Sequence, residues 1–165
     1  IHDPTRLLNV SKSVPHAAAL DAAAQVLRAA KAPVIVAGNG VRIGRAFDQL
    51  AAMAELLVAP VVTSILGKSA IAETHDLAAG PMGYTGLKLA NDVVGMADTI
   101  LVVGCRLKPQ ETCFEHPAMF DPNRQSIVQI DIDPRNASWT IPAEVALAGD
   151  AALTLDLLHE RLATG

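Results

Sequence analysis

Short apolar runs recur along the whole chain, and their spacing limits the possible folds more than any other feature. They are VIVAG after Pro33, PVVTS at 60–64, TILVVG at 99–104, SIVQIDID from Ser126 to Asp133 and EVALAGD at 144–150. They are rich in Val and Ile, and the central ones show no apolar/polar alternation. That is the pattern of strands buried on both faces. A sixth, shorter candidate is LAAG at 77–80.

Between the runs lie segments with helical periodicity. PHAAALDAAAQVLRAAKAP places apolar residues at helical spacing, with Pro15 at a favoured first helical position and Lys31 in the last turn before Pro33 stops it. GRAFDQLAAMAELL predicts a helix from about Gly44 to Leu57, LKLANDVVGMA another, and AALTLDLLHERLAT a closing amphipathic one. Strands alternating with helices predict an α/β, Rossmann-like fold. This is a three-layer, doubly wound parallel sheet of about six strands with helices on both faces. A length of 165 residues suits one domain with a real core. Aromatics make up only 3%, so that core is built from Ala, Val, Leu and Ile.

Several function classes drop out. The net charge is -4 with no basic tract, which argues against nucleic acid as a partner. No apolar run approaches a membrane span. Cys105 and Cys113 fit neither a CxxC nor a zinc spacing and read as simple thiols, for which a reducing cytoplasm is the simplest setting. His2, His16, His75, His116 and His159 never pair at metal-ligand spacing. His75 and His116 lie on loops near strand ends, where surface or capping duty outweighs a catalytic role. TSILGKS lacks the first glycine of a phosphate-binding P-loop, so Lys68 reads as a solvated lysine. No serine sits in a nucleophile elbow. No residue stands out as catalytic or as a metal ligand.

A parallel sheet of this kind binds ligands beyond the carboxyl ends of its strands, where strand order reverses. Those ends carry Gly38-Asn39-Gly40, Thr63-Ser64, Gly104-Cys105-Arg106, Asp131-Ile132-Asp133 and Gly149-Asp150. Each group also fits an ordinary turn. Together they suggest one site, in which glycines admit a ligand to the backbone, Arg106 meets a phosphate and Asp131 or Asp133 accepts from a ribose. Asp131 and Asp133 share a strand face by the i, i+2 rule, the first expected to bind and the second to shape the turn before Pro134. An ordinary nicotinamide site is disfavoured. The turn is Gly38-x-Gly40-x-x-x-Gly44, one residue too long for the fingerprint, and strand two ends in Thr63-Ser64 where an acid belongs.

The ordered set KAPVIVAGNGV, APVVTSILGKSAIAETHDLAAGPMGYTG, ANDVVGMADTILVVGCRL, IVQIDIDP and VALAGD resembles the central domain of thiamine diphosphate-dependent enzymes. The type is that of acetolactate synthase, benzoylformate decarboxylase and oxalyl-CoA decarboxylase. The resemblance runs from about Pro15 to the C-terminus. It implies that residues 1–14 are a linker and 15–165 a single central domain of a larger 2-oxo acid decarboxylase or carboligase. Partners would then be the missing N- and C-terminal domains in a homo-oligomer, with apolar surface meant to meet them.

In that family the outer domains hold thiamine diphosphate and magnesium. The central one binds FAD, ADP or nothing known. The resemblance puts nucleotide contacts on Gly38, Asn39 and Gly40, on the Gly80–Gly83 loop including Met82, on Arg106, on Asp131, Ile132 and Asp133, and on Gly149 and Asp150. Flavin-binding members tend to carry Gly-Met-His-Gly where this chain has Gly80-Pro81-Met82-Gly83, which sets FAD in doubt. The Gly-Asp-Gly that grips magnesium and diphosphate is absent, because Ala151 follows Gly149-Asp150. The domain alone is therefore expected to be inactive. The alternative is a free-standing adenine-nucleotide-binding module, electron-transfer flavoprotein-like or transhydrogenase-like.

Overall fold

The computed structural model describes residues 11–164, so most of the expected 1–14 linker lies outside the described residues. Six strands form one sheet: β1 (Pro33–Ala37), β2 (Val61–Thr63), β3 (Ala78–Pro81), β4 (Thr99–Val103), β5 (Ser126–Asp131) and β6 (Val145–Ala148). Their order is β3-β2-β1-β4-β5-β6, and every pairing is parallel. The order reverses between β1 and β4. Among the described residues there are five α-helices: α1 (Ala17–Ala29), α2 (Asn39–Ile43), α3 (Phe47–Leu57), α4 (Lys88–Met96) and α5 (Ala151–Ala163). Among the described residues no helix is long and apolar enough to cross a membrane.

Strand periodicity sorts the core into two. Ile35, Ala37, Leu101, Val103, Val128 and Ile130 pack with Leu20, Leu27, Leu50, Met53 and Leu155 of α1, α3 and α5. Val34, Val36, Ile100, Val102 and Ile127 face the other way, onto Ala90 and Val94 of α4 and onto Leu107, Met119 and Phe120. The alternation follows from successive side chains pointing to opposite faces. Helices do cover both faces, but unequally: the second face has α4 and otherwise the irregular segment after β4.

Three details depart from the sequence reading. α1 is capped by His16, whose Nδ1 accepts from the Ala18 N–H at 3.3 Å, so Pro15 precedes the helix rather than opening it. Its last-turn cation is Arg28, and Lys31 lies beyond the end. Of the helix expected over 44–57, Phe47–Leu57 is helical, as α3, and a further helix precedes that range. α2 starts directly at Asn39, then the chain breaks at Gly44–Ala46, with Arg45 in the left-handed region at φ 53°.

At the reversal point two turns touch. A Cβ on Gly38 would stand 2.2 Å from the Gly104 carbonyl oxygen, and one on Gly104 would stand 2.6 Å from the Gly40 Cα. Gly104 also has φ 57°. Gly38→Ala is expected to lower stability by about 2 kcal/mol, because backbone on the far side leaves nothing flexible to yield; urea unfolding checks this. Val58 ends α3 at φ 49°, a left-handed conformation that a β-branched residue resists. Val58→Gly should raise stability by up to about 1 kcal/mol, seen as a higher thermal midpoint.

Candidate functional site

A cleft of about 620 Å³ opens at the carboxyl edge of the sheet, over the β1/β4 reversal. Its floor is Asn39–Gly40 and Gly104–Cys105. Ser64 and Leu66 follow β2 on one side, and Ile130–Ile132 and Gly149–Ala151 close the other. The volume falls within the roughly 300–1,000 Å³ typical of small-molecule sites.

The floor is held by its own backbone. The Gly38 N–H donates to Val103 at 2.8 Å, the Gly40 N–H to Gly104 at 2.9 Å and the Val41 N–H to Gly38 at 3.2 Å. The Gly40 and Val41 N–H groups at this turn are thus engaged within the protein. Positive charge comes instead from side chains: Lys12, Arg45, Arg106 and Lys108 all line the cleft. The Arg106 guanidinium lies 5.5 Å from the centre of the Trp139 ring, a stacking arrangement that orients it. No carboxylate pairs with Arg106 among the described residues.

Asp131 is buried at the end of β5. Its Oδ1 accepts from the Asp133 N–H at 2.9 Å and from Asn136 Nδ2 at 3.1 Å. Its second oxygen has no partner among the described residues, and the residue lines the cleft. Asp150 caps α5 by accepting from the Leu153 N–H at 3.1 Å, and pairs with Lys12 at 3.1 Å.

Of the residues singled out in the sequence, Asn39, Gly40, Arg106, Asp131, Ile132, Gly149 and Asp150 meet at this cleft, with Gly38 packed beneath its floor. Asp133 does not line it. Its carboxylate caps the turn at Pro134–Asn136 and grips Arg135, at 2.7 Å from Nη2, and the Arg135 hydrogen bonds hold its pKa down to about 2. Gly80, Met82 and Gly83 also lie outside the lining. Gly80 belongs to β3, Met82 is fully buried in the second core, and Gly83 is clasped by Asn91 through two hydrogen bonds. Sequence reasoning missed Lys12, Arg45, Leu66 and Glu111.

Other candidates fall away on geometry. His75 stands just before β3, at the amino edge of the sheet, beside Glu55 at 3.4 Å; it is remote from the cleft rather than near its mouth. His116 accepts from the Ala118 N–H as a local cap. Lys68 pairs with exposed Glu73. No group of three His, Cys, Asp or Glu side chains that could hold a metal occurs among the described residues. Cys105 is buried, and its Sγ donates to Glu111 Oε2 at 3.4 Å. Burial pushes this thiol far up, and the Glu111 carboxylate adds to the shift.

The family described as the central domain of thiamine pyrophosphate enzymes matches residues 20–158. The chain belongs to this family. It is 38% identical over 146 residues to a sulfoacetaldehyde acetyltransferase of Alcaligenes xylosoxydans xylosoxydans, covering 88% of this chain and 24% of that protein. It is 36% identical over 147 residues to the large subunit of acetolactate synthase isozyme 3 of Escherichia coli (strain K12), covering 89% and 25%. A structure described as that of a "putative thiamin diphosphate-dependent enzyme isolated from Mycobacterium smegmatis" superposes with a TM-score of 0.74 at 30% identity, over 92% of this chain and 29% of that one. The chain thus spans about a quarter of the length of the curated relatives it matches. These likenesses favour the central-domain reading over a free-standing nucleotide module.

Cys105 is a buried packing residue, and its raised pKa keeps it in the thiol form, a poor nucleophile. Iodoacetamide at mildly alkaline pH is expected to leave Cys105 untouched in native buffer and to label it in urea. Peptide mapping by mass spectrometry decides this, and rapid native labelling would contradict the burial.

Proposed function

We propose that this domain is the nucleotide-holding and structural unit of a thiamine diphosphate-dependent enzyme of the acetolactate synthase type. In this reading the cleft takes an adenine nucleotide, ADP or the ADP half of FAD. The observation that carries the reading is Asp131. A buried carboxylate with one oxygen tied to the protein and the other unpartnered, in a cleft that also holds Arg106, suits a ribose hydroxyl next to a phosphate. The apolar walls Ile43, Leu66 and Ile132 suit a flat base.

The residues present do not suit thiamine diphosphate with magnesium. Ala151 follows Gly149-Asp150, Asp150 is engaged as a helix cap, and no three-ligand cluster exists among the described residues. In this reading thiamine diphosphate and magnesium belong to other domains of the parent enzyme, and this chain supplies no catalytic residue. The parent's reaction is proposed to be decarboxylation of a 2-oxo acid or carboligation, as the acetolactate synthase and sulfoacetaldehyde acetyltransferase likenesses suggest. Exposed apolar side chains support neighbouring domains or subunits in a homo-oligomer. Tyr84 and Phe114 meet edge-on with ring centres 5.7 Å apart, and Leu87 and Leu89 are exposed in the nearby sequence.

Calorimetric titration with ADP, FAD, coenzyme A and NAD tests the cleft. ADP or FAD should bind in the micromolar range, with affinity falling at least about tenfold in Asp131→Ala and in Arg106→Ala. Binding that survives both substitutions would move the site elsewhere, and preference for NAD over ADP and FAD would overturn the ligand assignment.

A further inference from the structure

The segment ahead of α1 is tied down at the β6 end of the cleft. The Ser13 carbonyl accepts from the Asp150 N–H at 2.9 Å. Pro15 packs on Gly149 so closely that a Cβ there would stand 2.7 Å from the proline ring. Lys12 Nζ lies 3.2 Å from Asp150 Oδ1 and 3.1 Å from Oδ2, with the lysine side chain half exposed and the aspartate nearly buried. Three contacts of different kinds fix one short stretch of chain and leave one ammonium group at the cleft wall.

That ammonium answers a need set by the floor. The Gly40 and Val41 N–H groups already donate within the protein, so the turn after β1 offers a phosphate less than a typical nucleotide-binding turn does. Asp150 and Asp131 add negative charge to the same cleft, and an unpaired Asp150 would repel a diphosphate. The geometry points to Lys12 as a phosphate-binding residue of this cleft, presented by a strap that Asp150 anchors. Asp150 thus has two tasks: it caps α5 through Leu153, and it holds Lys12 where the phosphate arrives. The lysine is a flexible point charge and keeps donors beyond those facing Asp150, so it can meet a phosphate oxygen without leaving its anchor. The inference rests on the nucleotide reading and adds to it a residue on the chain ahead of the domain's first helix.

Parallel titrations with ADP and adenosine separate the two ideas. Lys12→Met should weaken ADP binding about tenfold and leave adenosine binding unchanged, because only ADP carries the charge that Lys12 meets. Lys12→Arg should restore most of the ADP affinity. The salt dependence of ADP binding should be shallower in Lys12→Met than in the native protein. Equal loss of ADP and adenosine affinity, or unchanged ADP affinity in Lys12→Met, would overturn the role of Lys12 while leaving the nucleotide site standing. Native protein that binds neither ligand would overturn both. Thermal unfolding of each variant confirms that the fold is intact.

Discussion

Two backbone turns lie against each other where the strand order reverses, and the rest of the domain is arranged around that contact. β1 and β4 run side by side in register from Pro33 opposite Thr99 to Ala37 opposite Val103. Just beyond, Gly40 donates to Gly104, and neither turn has room for a Cβ facing the other. The contact joins the β3-β2-β1 half of the sheet to the β4-β5-β6 half. It also forms the floor of the cleft, since helices or loops leaving adjacent strands in opposite directions open a gap at this point. The hydrogen bond that closes the contact uses up a donor at the floor. The positive charge of the cleft comes from the side chains of Arg106, Arg45, Lys108 and Lys12, which line it.

The strands were legible because β1, β4 and β5 are buried on both faces, and uninterrupted Val and Ile leave little else for them to be. The strand order was not legible, as no local pattern states which strand pairs with which. Helix boundaries were less legible. The apolar spacing after β1 continues through Gly44–Ala46, so nothing in the pattern marks the break there. The packing of Gly38 and Gly40 on Gly104 starts α2 at once, five residues earlier than the pattern suggests.

The site divides along the same line. Residues at strand ends were visible as Gly, Asp and Arg following apolar runs, and Arg106, Asp131 and Gly149–Asp150 do line one cleft. Asp133 was paired with Asp131 by strand alternation, but β5 stops at Asp131, and past that point the two-residue rule no longer governs where a side chain points. The Gly80–Gly83 loop came only from resemblance, and here Met82 fills the second core while Asn91 holds Gly83. Lys12 left no trace in the pattern, because its partner lies 138 residues away and a lysine between two serines looks like any solvated linker.

The groups with reactive potential are each restrained by something other than a ligand. Cys105 is buried beside Glu111, Asp133 is locked to Arg135, and His75 stands at the far edge of the sheet. What faces the cleft is charge and shape: one unpartnered oxygen of Asp131, the Arg106 guanidinium over Trp139, the Lys12 ammonium held by Asp150, and apolar walls. The relatives that the chain matches are about four times its length. The unevenness of the two faces follows the same division. α1, α3 and α5 finish one side of the sheet. The other relies on α4 and on a segment that holds Cys113, Phe114 and Glu115 in the left-handed region and turns Phe114 outward against Tyr84. Left-handed residues with side chains cost roughly 1–2 kcal/mol each. Three in succession put this strain beside exposed aromatic surface, where Phe114 and Tyr84 meet, on the face that a single helix covers.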